Sequence, residues 1–426
     1  MKDNSLKNNQ EYIDIVIIGA GPAGLAAAIA AREAGIQSLL VLERENEPGG
    51  ILRQCIHNGF GLHRFKEELT GPEYAWKDIV RARELDIPIE CSATVLSVSP
   101  DRYVTYISRS RGLRTLRAGA VILAMGCRER PRGALCTPGT RCSGIYSAGT
   151  AQRFVNLEGL MPGKRVVILG SGDIGLIMAR RMKLQGADVL ACVEIMPYSS
   201  GLNRNIVQCL NDYNIPLYLE HTVTDIRGRN RLEGVTVSRV DKKRVPIPGT
   251  EIDFECDTLL LSCGLIPENE LSQGAGVQLS PVTSGAVVSE NLETSVPGIF
   301  ACGNVLHVHD LVDFVSSESF TAGKAAAAYV RSQLNQSGEV IEVRDGAGVR
   351  GTVPQKIHRD TAEPVNLMFR PAEVFRNSSV VIRSGSDVIL KKKAMIYTPG
   401  EMVSVPLPPE KVAALPESSI TVSIES

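Results

Sequence analysis

The chain has 426 residues, more than one hydrophobic core normally organises, so we expect two or three domains. Its formal net charge is −1 and it shows no basic cluster of the kind that nucleic acid requires, so we expect no nucleic-acid partner. No uncharged run approaches the roughly 18–20 residues of a membrane span, and residues 1–10 are polar, without the apolar centre of a signal peptide. These features predict a soluble, cytoplasmic protein.

An aliphatic run followed by three closely spaced glycines is the first motif along the chain. Five of residues 13–18 are aliphatic, which suits a strand buried on both faces. Gly19 then permits a tight turn, Gly21 lets a pyrophosphate approach the backbone, and Gly24 lets the next helix pack against the strand. The spacing predicts a dinucleotide-binding loop; the alternative is a glycine turn in some other α/β fold.

The elements after these glycines favour the dinucleotide loop. Residues 25–32 are rich in alanine and predict a helix, with Pro22 tolerated in its first turn. A second aliphatic stretch, residues 38–42, predicts a strand that ends at Glu43. A carboxylate there can accept hydrogen bonds from a ribose. Strand, glycine loop, helix and acid in this order are far more specific than three glycines alone.

The same order of elements occurs a second time. Its parts are a strand over residues 166–169, Gly170, Gly172 and Gly175, a helix over 176–185, a strand over 189–193, and Glu194. In both units the acid follows the third glycine by 19 residues. This agreement predicts two dinucleotide sites on one chain. For the second site, the alternative is a loop that persists for packing and binds nothing.

Further helices and strands are predicted between and after these units. They are an amphipathic helix over residues 66–84, an antiparallel meander over 93–99, 103–108 and 113–117, aliphatic strands over 119–123, 258–264 and 298–304, and a helix over 317–334. Residues 128–163 are rich in Gly, Pro and Arg and should connect to the second domain. Residues 340–426 carry short β-branched runs, which predict a separate domain for packing or subunit contact.

The predicted fold class is α/β, with two Rossmann-like domains, the second inserted in the first, and a small C-terminal β-rich domain. The predicted boundaries are 10–160 and 281–336 for the two parts of the first domain, 161–280 for the inserted domain, and 340–426 for the C-terminal domain.

The ten cysteines include no CxxC pair, and all lie between Cys55 and Cys302. In a reducing cytosol most should be free thiols that behave as small buried apolar residues. Cys127, Cys136 and Cys142 cluster, but their gaps of nine and six residues fit no common zinc pattern. We therefore expect no metal.

Together these motifs resemble the two-dinucleotide-binding-domain flavoproteins, the glutathione and thioredoxin reductase-like enzymes, over about residues 10–335. In that superfamily the first glycine motif holds FAD and the inserted domain holds NAD(P)H. The resemblance implies that Gly303 and Asn304 lie beneath the flavin ribityl chain, where the superfamily usually has Asp. The amide keeps an acceptor and adds donors, but the local charge is lost.

Other stretches narrow the resemblance. Residues 125–131 and 144–152 look like the FAD- and NAD-type subunits of heteromeric dehydrogenases, namely opine oxidase, hydrogen cyanide synthase and hydroxyproline dehydrogenase. Residues 55–62 and 300–313 resemble a bacterial group whose genes neighbour a glycerol-3-phosphate dehydrogenase-like flavoprotein and a small cysteine-rich protein, which implies those two partners. Some such subunits carry a C-terminal iron–sulfur segment, but no cysteine follows Cys302, so we expect no cluster.

The resemblance assigns cofactor-binding roles residue by residue. The residues assigned to FAD are Gly19, Gly21, Pro22, Ala23, Gly24, Glu43, Arg44, Gly49, Gly50, Val95, Ala124, Gly126, Gly303 and Asn304. Those assigned to NAD are Gly170, Gly172, Asp173, Ile174, Gly175, Glu194 and Gly264. Glu194 favours NAD over NADP because its carboxylate would repel a 2′-phosphate, and no arginine follows until Arg204. Asp173 adds negative charge within the same loop.

The expected reaction is hydride transfer between nicotinamide and flavin, which needs no protein nucleophile. Cys55 is single where disulfide reductases carry a pair, so dithiol exchange of that kind is excluded. It is either a redox thiol aided by His57 or an inert structural thiol. His307 or His309 either exchanges a proton at the flavin or substrate, or serves only as a hydrogen-bonded loop residue or subunit contact.

Three functions are compatible with these motifs. The first is an FAD-containing, NAD-linked subunit of a heteromeric dehydrogenase, whose partner oxidises glycerol 3-phosphate or a small hydroxy or amino acid. The second is a stand-alone NADH oxidase or reductase that uses Cys55. The third is a non-catalytic flavin-binding assembly subunit.

Overall fold

The computed structural model describes residues 11–334 and 338–425. Residues 1–10, on which the signal-peptide prediction rests, lie outside the described residues, as do residues 335–337 and 426. The helices are α1 (Pro22–Glu33), α2 (Gly71–Glu84), α3 (Arg132–Leu135), α4 (Ala148–Asn156), α5 (Asp173–Leu184), α6 (Asn203–Cys209), α7 (Glu270–Gly274), α8 (Val312–Val330) and α9 (Pro409–Ala413).

The strands fall into three stretches of the chain. Those before residue 150 are β1 (Tyr12–Ile18), β2 (Leu39–Leu42), β3 (Asn58–Phe60), β4 (Leu69–Thr70), β5 (Ile89–Glu90), β6 (Ala93–Val98), β7 (Tyr103–Ser108), β8 (Gly112–Leu123), β9 (Cys127–Glu129) and β10 (Ile145–Ser147). Those up to residue 301 are β11 (Arg165–Leu169), β12 (Asp188–Glu194), β13 (Leu217–Leu219), β14 (His221–Gly228), β15 (Leu232–Arg239), β16 (Ile252–Phe254), β17 (Thr258–Leu261), β18 (Leu265–Pro267) and β19 (Ile299–Ala301). Those of the C-terminal region are β20 (Val340–Asp345), β21 (Val349–Val353), β22 (Lys356–His358), β23 (Val365–Pro371), β24 (Phe375–Ser384), β25 (Asp387–Tyr397), β26 (Val403–Leu407) and β27 (Ser419–Glu425).

Two compact units divide the chain. The first contains residues 1–53, 58–127 and 267–426, and the second contains residues 54–57 and 128–266. The predicted inserted domain, residues 161–280, overlaps the second unit but begins later and ends later. The unit begins before residue 161 because β10 pairs with β17 of the same sheet.

The first unit is built on a sheet of order β5-β2-β1-β8-β7-β6. Strand β19 also pairs with β8, at residues 121–123, on the edge opposite β1. The centre of this sheet is parallel: β1 pairs with β2 and with β8, and β19 pairs with β8. The four residues of β2 are buried, and so are the last four of β1, which explains their unbroken aliphatic sequence. Helix α1 packs against β1 and α8, through alanines that permit a close approach.

The second unit repeats this plan with a parallel sheet of order β10-β17-β11-β12-β13. A separate antiparallel sheet, β14-β15-β16, follows the second glycine-loop unit. This unit has two buried apolar clusters, one on each face of the parallel sheet: Ile168 belongs to one and Val167 to the other. The alternation follows from the pleat, which points successive side chains to opposite faces.

The C-terminal region, residues 340–425, forms two sheets of order β22-β20-β27-β24-β25 and β21-β23-β26. It has its own buried cluster, in which Phe369, Ile382 and Val422 are almost fully inaccessible. The predicted β-branched runs lie in β24, β25 and β27. The α/β class with a β-rich C-terminal region is thus confirmed, although this region belongs to the first compact unit.

Three local predictions were wrong at their boundaries. The amphipathic helix begins at Gly71 rather than residue 66, because Thr70 and Glu73 form a capping box and Lys66 has a left-handed φ of 58°. The third strand of the meander does not stop at residue 117. It continues to Leu123 as one strand, β8, so the meander belongs to the main sheet. The last predicted helix begins at Val312 rather than residue 317.

The connection predicted over residues 128–163 carries regular structure. It contains β10 and α4, whose N-cap Ser147 accepts a hydrogen bond from the backbone N–H of Thr150 at 3.3 Å. Glycine and proline content therefore marked the turns around these elements but not the elements themselves. Across the part of the chain that is described, no helix combines the length and apolarity needed to cross a bilayer.

Candidate functional site

The first glycine loop has two crowded positions and one open position. Gly19 has φ +103°, and a Cβ placed on it would lie 2.5 Å from the carbonyl oxygen of Ala124. A Cβ on Gly24 would lie 1.8 Å from the carbonyl oxygen of Gly19. At Gly21, by contrast, the nearest atom to a Cβ is 3.8 Å away, on Gly50. The outer glycines are required by packing, and the middle one faces space that a ligand can enter.

The second glycine loop repeats this pattern. Gly170 has φ +100°, and its Cβ would lie 2.1 Å from the carbonyl oxygen of Ser262. A Cβ on Gly175 would lie 2.8 Å from the carbonyl oxygen of Gly170. At the middle residue, Gly172, the nearest atom to a Cβ is 3.7 Å away, the hydroxyl oxygen of Ser262. The two loops therefore present the same open position above the start of a helix.

Both helices begin without a side-chain cap. Gly21 is the N-cap of α1 and Gly172 is the N-cap of α5, and a glycine has no side chain to accept hydrogen bonds from the N–H groups of the first turn. Free N–H groups at a helix N-terminus, with the positive end of its dipole, bind phosphate. The residues present thus fit the pyrophosphate of a dinucleotide in each unit.

The acid of each unit is fixed to its glycine loop by hydrogen bonds. Glu43 Oε2 accepts the backbone N–H of Ala20 at 2.7 Å, and its Oε1 accepts that of Glu45 at 2.9 Å. The side chain is buried, and it lies at the end of β2. Because an ionised carboxylate offers about four acceptor positions, two remain for a ribose.

Glu194 makes the equivalent contacts in the second unit. Its Oε2 accepts the backbone N–H of Ser171 at 3.0 Å and the Ser171 hydroxyl at 2.6 Å, while its Oε1 accepts the N–H of Met196 at 3.0 Å. With three positions used, about one acceptor position remains. The second acid is therefore held more tightly than the first and has less capacity for a ligand.

Two further turns meet the first glycine loop. Gly49 donates its N–H to the carbonyl of Ala20 at 2.8 Å. Gly50 has φ +58°, and its Cβ would lie 2.8 Å from the Cα of Gly21. Gly303, with φ +72°, would place a Cβ 2.7 Å from that of Ala23. Three stretches that are distant in sequence thus converge at the start of α1.

Asn304 is held from two sides within the first unit. Its Nδ2 lies 3.6 Å from Sγ of Cys127, and its Oδ1 accepts the backbone N–H of His309 at 3.0 Å. The amide therefore links the turn after β19 to the start of β9 and to the histidine loop. An aspartate could not donate to the sulfur, which gives the departure from the superfamily pattern a local structural role.

His307, His309 and Glu318 form a buried polar cluster beside this turn. Glu318 Oε2 lies 2.6 Å from Nε2 of His307, and its Oε1 lies 3.2 Å from Nε2 of His309. Oε1 also accepts the backbone N–H of Gly303 at 2.7 Å. All three side chains are at most 5% exposed.

Burial and electrostatic attraction act in opposite directions on the pKa values of Glu318 and His307. Burial tends to raise the pKa of Glu318, but the two histidines outweigh it, so this pKa is lowered and the carboxylate is ionised. Burial lowers the pKa of His307, against the pull of Glu318. One carboxylate between two imidazoles can hold or pass a single proton.

The cluster has the composition of a metal site, but His307 and Glu318 lie too close together for two ligands of one ion. One ligand atom from each residue lies within 4.8 Å of the others. Two ligands of one tetrahedral zinc ion are separated by about 3.3 Å, from metal–ligand distances of about 2.0–2.1 Å. The 2.6 Å separation between His307 and Glu318 is that of a hydrogen bond. The absence of a bound metal stays a prediction.

Cys55 lies in the second unit, against α4. Its Sγ is 3.8 Å from Oε1 of Gln152, and burial raises its pKa to about 12. His57 does not supply a cation: burial, together with the charge of Arg204, lowers its pKa. The raised pKa of the thiol and the lowered pKa of the imidazole both favour the inert interpretation of Cys55.

The remaining predicted residues fall on the elements expected to carry them. Pro22 and Ala23 open α1, and Ile174 lies in the first turn of α5. Asp173 Oδ1 accepts the N–H of Leu202 at 2.8 Å and Nδ2 of Asn205 at 2.7 Å, so it ties α5 to α6. Arg44 is exposed, and Val95 on β6 is partly buried. Gly126 and Gly264 have positive φ, and a Cβ placed on either would have no neighbour within 4 Å.

Sequence reasoning missed Glu318, and it missed two residues that hold the histidine loop, Asp310 and Arg370. Glu318 lies in the second turn of α8, where its spacing from His307 carries no recognisable signal. Asp310 stood next to the histidines in the motif, but its partner Arg370 is 60 residues away. Only the folded chain brings these residues together.

Two dinucleotide-binding folds with matched glycine loops and acids define a class: the oxidoreductases that use FAD together with NAD(P). The chain belongs to the pyridine nucleotide-disulphide oxidoreductase family, whose sequence profile matches residues 13–330. The members of this family are oxidoreductases that bind FAD and NAD(P), which agrees with the predicted class and cofactors.

Individual relatives agree with this assignment. An opine oxidase subunit of Agrobacterium tumefaciens (strain Ach5) is 26% identical over 288 residues, which cover 63% of this chain and 56% of the relative. The chain thus spans about half the length of that curated relative. Thioredoxin reductase of Ureaplasma parvum is 26% identical over 335 residues, 77% of this chain and 99% of the relative. The crystal structure of T. acidophilum thioredoxin reductase superposes with a TM-score of 0.62 at 26% identity, covering 76% of this chain and 99% of that one.

Proposed function

We propose that the chain is an FAD-dependent, NAD-linked oxidoreductase that transfers electrons as one subunit of a heteromeric dehydrogenase. The observation that carries the proposal is the pair of matched nucleotide sites on a chain without a CxxC motif. Cys55, the first cysteine after Gly49 and Gly50, is partly buried, and burial raises the pKa of its thiol to about 12. Because the chain has no CxxC pair to exchange electrons with a disulfide, we take a second protein to be their source or acceptor.

In this proposal the protein binds and orients, and FAD supplies the capacity to exchange a hydride with nicotinamide. The first glycine loop and Glu43 hold the adenylate and pyrophosphate of FAD. Gly303 and Asn304 hold the flavin half, as the superfamily resemblance implies. The cluster of His307, His309 and Glu318 holds a proton behind that turn, and its Glu318 fixes the turn through the N–H of Gly303.

The second glycine loop binds NAD rather than NADP in this proposal. Glu194 is buried and fixed by three donors, so its negative charge cannot move away from a 2′-phosphate. Asp173, at the first turn of α5, adds a second carboxylate to the same loop. Arg204, on α6, is the first arginine after Glu194 in sequence.

The similarity to a protein named as an opine oxidase subunit supports the heteromeric arrangement. The partner would be a second flavoprotein that oxidises glycerol 3-phosphate or a small hydroxy or amino acid, accompanied by a small cysteine-rich protein. A stand-alone NADH oxidase or reductase that uses Cys55, and a non-catalytic assembly subunit, are the competing functions. The raised pKa of the Cys55 thiol weighs against the stand-alone NADH oxidase or reductase.

The test is anaerobic mixing of the purified flavoprotein with NADH or NADPH, followed at the flavin absorption band. We expect rapid bleaching by NADH, much slower bleaching by NADPH, and an unchanged rate in Cys55→Ser. A spectrum indifferent to both coenzymes would establish the assembly subunit. Loss of NADH turnover in Cys55→Ser would establish the thiol-dependent enzyme. Affinity purification at native expression level should recover a second flavoprotein.

A further inference from the structure

The histidine loop is held in place by the C-terminal region, which lies outside the residues matched by the family profile. Arg370, on β23, donates from Nη2 to the carbonyl of Val308 at 3.1 Å and also to the carboxylate of Asp310. The other oxygen of Asp310 accepts the backbone N–H of Met402 at 2.6 Å. Val308 and Asp310 flank His309, so these contacts fix the segment that carries the buried cluster.

Arg370 is itself pre-positioned. Its Nη1 donates to the carbonyls of Pro399 and Gly400, at 3.2 Å and 3.0 Å. The guanidinium thus joins two carbonyls of its own region to a carbonyl and a carboxylate of the loop. A planar fork of donors suits this arrangement, and the single ammonium of lysine does not reproduce it.

The loop also leads directly to the turn assigned to the flavin. Asn304 Oδ1 accepts the N–H of His309 at 3.0 Å, and Glu318 joins His307 to the N–H of Gly303. Displacement of Asp310 would therefore be transmitted to Gly303 and Asn304 through contacts that are partly or fully buried. The clamp and the turn form one hydrogen-bonded unit.

We propose that Arg370 is a positioning residue: its clamp on Asp310 sets the geometry of the His307–His309–Glu318 cluster and thereby the environment of the flavin. The C-terminal region then has a function beyond packing, since it completes the site of the first unit. This inference rests on the proposed function, because it takes the Gly303 turn to be the flavin contact.

The experiment compares Arg370→Met with wild type and with Arg383→Met. Arg383 is a matched control, because it forms an ion pair of similar exposure with Glu425 in the same region and has no contact with the loop. We expect Arg370→Met to keep its FAD, to shift the visible spectrum of the flavin, and to slow its reduction by NADH about tenfold with little change in the KM for NADH. Arg383→Met should match wild type in all of these measurements.

Two further variants keep the inference falsifiable if Arg370→Met folds poorly. Asp310→Asn should give the same spectral shift, and combining it with Arg370→Met should add little, as expected of two groups in one contact. Arg370→Lys should restore part of the rate. If Arg370→Met and Asp310→Asn retain the wild-type spectrum and rate, the clamp has no role at the flavin and the inference fails. A wild-type flavin that NADH does not reduce refutes the proposed function, whereas the spectral comparison still tests the clamp. A protein without flavin refutes both.

Discussion

Glu194 holds Ser171 by two hydrogen bonds, from the backbone N–H at 3.0 Å and from the hydroxyl at 2.6 Å. Glu43 likewise accepts a hydrogen bond from the backbone N–H of Ala20, which precedes it by 23 residues, the same separation as between Ser171 and Glu194. The acid that ends each second strand thus serves two purposes. It fixes the glycine loop, and it presents its remaining acceptor positions to a ribose.

This equivalence predicts two variants with separate effects. Glu194→Gln should raise the KM for NADH about tenfold and reduce the preference for NADH over NADPH, since one hydrogen bond to a charged group is lost and the repulsion of a 2′-phosphate is removed. FAD content should not change. Steady-state kinetics with both coenzymes measure this effect.

The control is the matched change Glu43→Gln. It should release FAD on dilution or gel filtration, while the KM for NADH of reconstituted protein remains that of wild type. If Glu194→Gln lost FAD instead, or if both variants behaved alike, the assignment of one cofactor to each unit would be wrong.

The open and crowded glycines predict opposite results within one loop. Gly172→Ala places its Cβ at ordinary van der Waals distances, 3.7 Å from the nearest atom, and at a negative φ, so the free energy of unfolding should change by no more than about 0.5 kcal/mol. The added methyl group stands where the pyrophosphate must approach, so the KM for NADH should rise at least about tenfold.

Gly170→Ala is the comparison. Its φ of +100° and the nearby carbonyl of Ser262 should cost about 1–3 kcal/mol in stability, measured by urea unfolding. Normal NADH binding in Gly172→Ala would contradict a nucleotide site and would support the alternative in which the second loop persists only for packing.

The Cys55 thiol should resist alkylation at neutral pH. Its pKa is raised to about 12 by burial, so at pH 7–8 almost none of it is thiolate, which is the reactive form. Mass spectrometry after limited iodoacetamide treatment should find the exposed Cys136 modified well before Cys55. Preferential labelling of Cys55 would revive its redox role.

The pair of His358 and Glu290 should make stability depend on pH. Nδ1 of His358 lies 3.0 Å from Oε1 of Glu290, and this hydrogen bond raises the pKa of the histidine against the effect of burial. A raised pKa means that the added stability is complete below about pH 6.5, the unfolded value, and is lost as pH rises through the folded value.

The measurement is urea unfolding of wild type and His358→Gln. The variant should be less stable by about 1–2 kcal/mol at pH 5.5, and the difference should shrink at pH 9. Glu290→Gln should show the same trend. A difference that grows with pH would reverse the sign and refute this explanation of the pair.

The site was predictable from sequence where its geometry is local. The conformation of Gly19 or Gly170 depends on a turn of a few residues, and the glycine spacing reveals it directly. The strands beside them are buried on both faces, so an unbroken aliphatic run identifies them. The predicted start of α2 was wrong because a single local contact, the capping box of Thr70, decides where this helix begins.

The sequence by itself determined that this chain has two dinucleotide-binding units of the same order, because each unit is encoded within a short stretch by glycine spacing, aliphatic runs and one acid. The tertiary structure decided which side chains serve them. Glu318 reaches both histidines only because α8 returns against the turn after β19, and Arg370 meets Asp310 only because the C-terminal region docks there. Such contacts depend on how elements distant in sequence pack, and no periodicity or spacing in the chain records that packing.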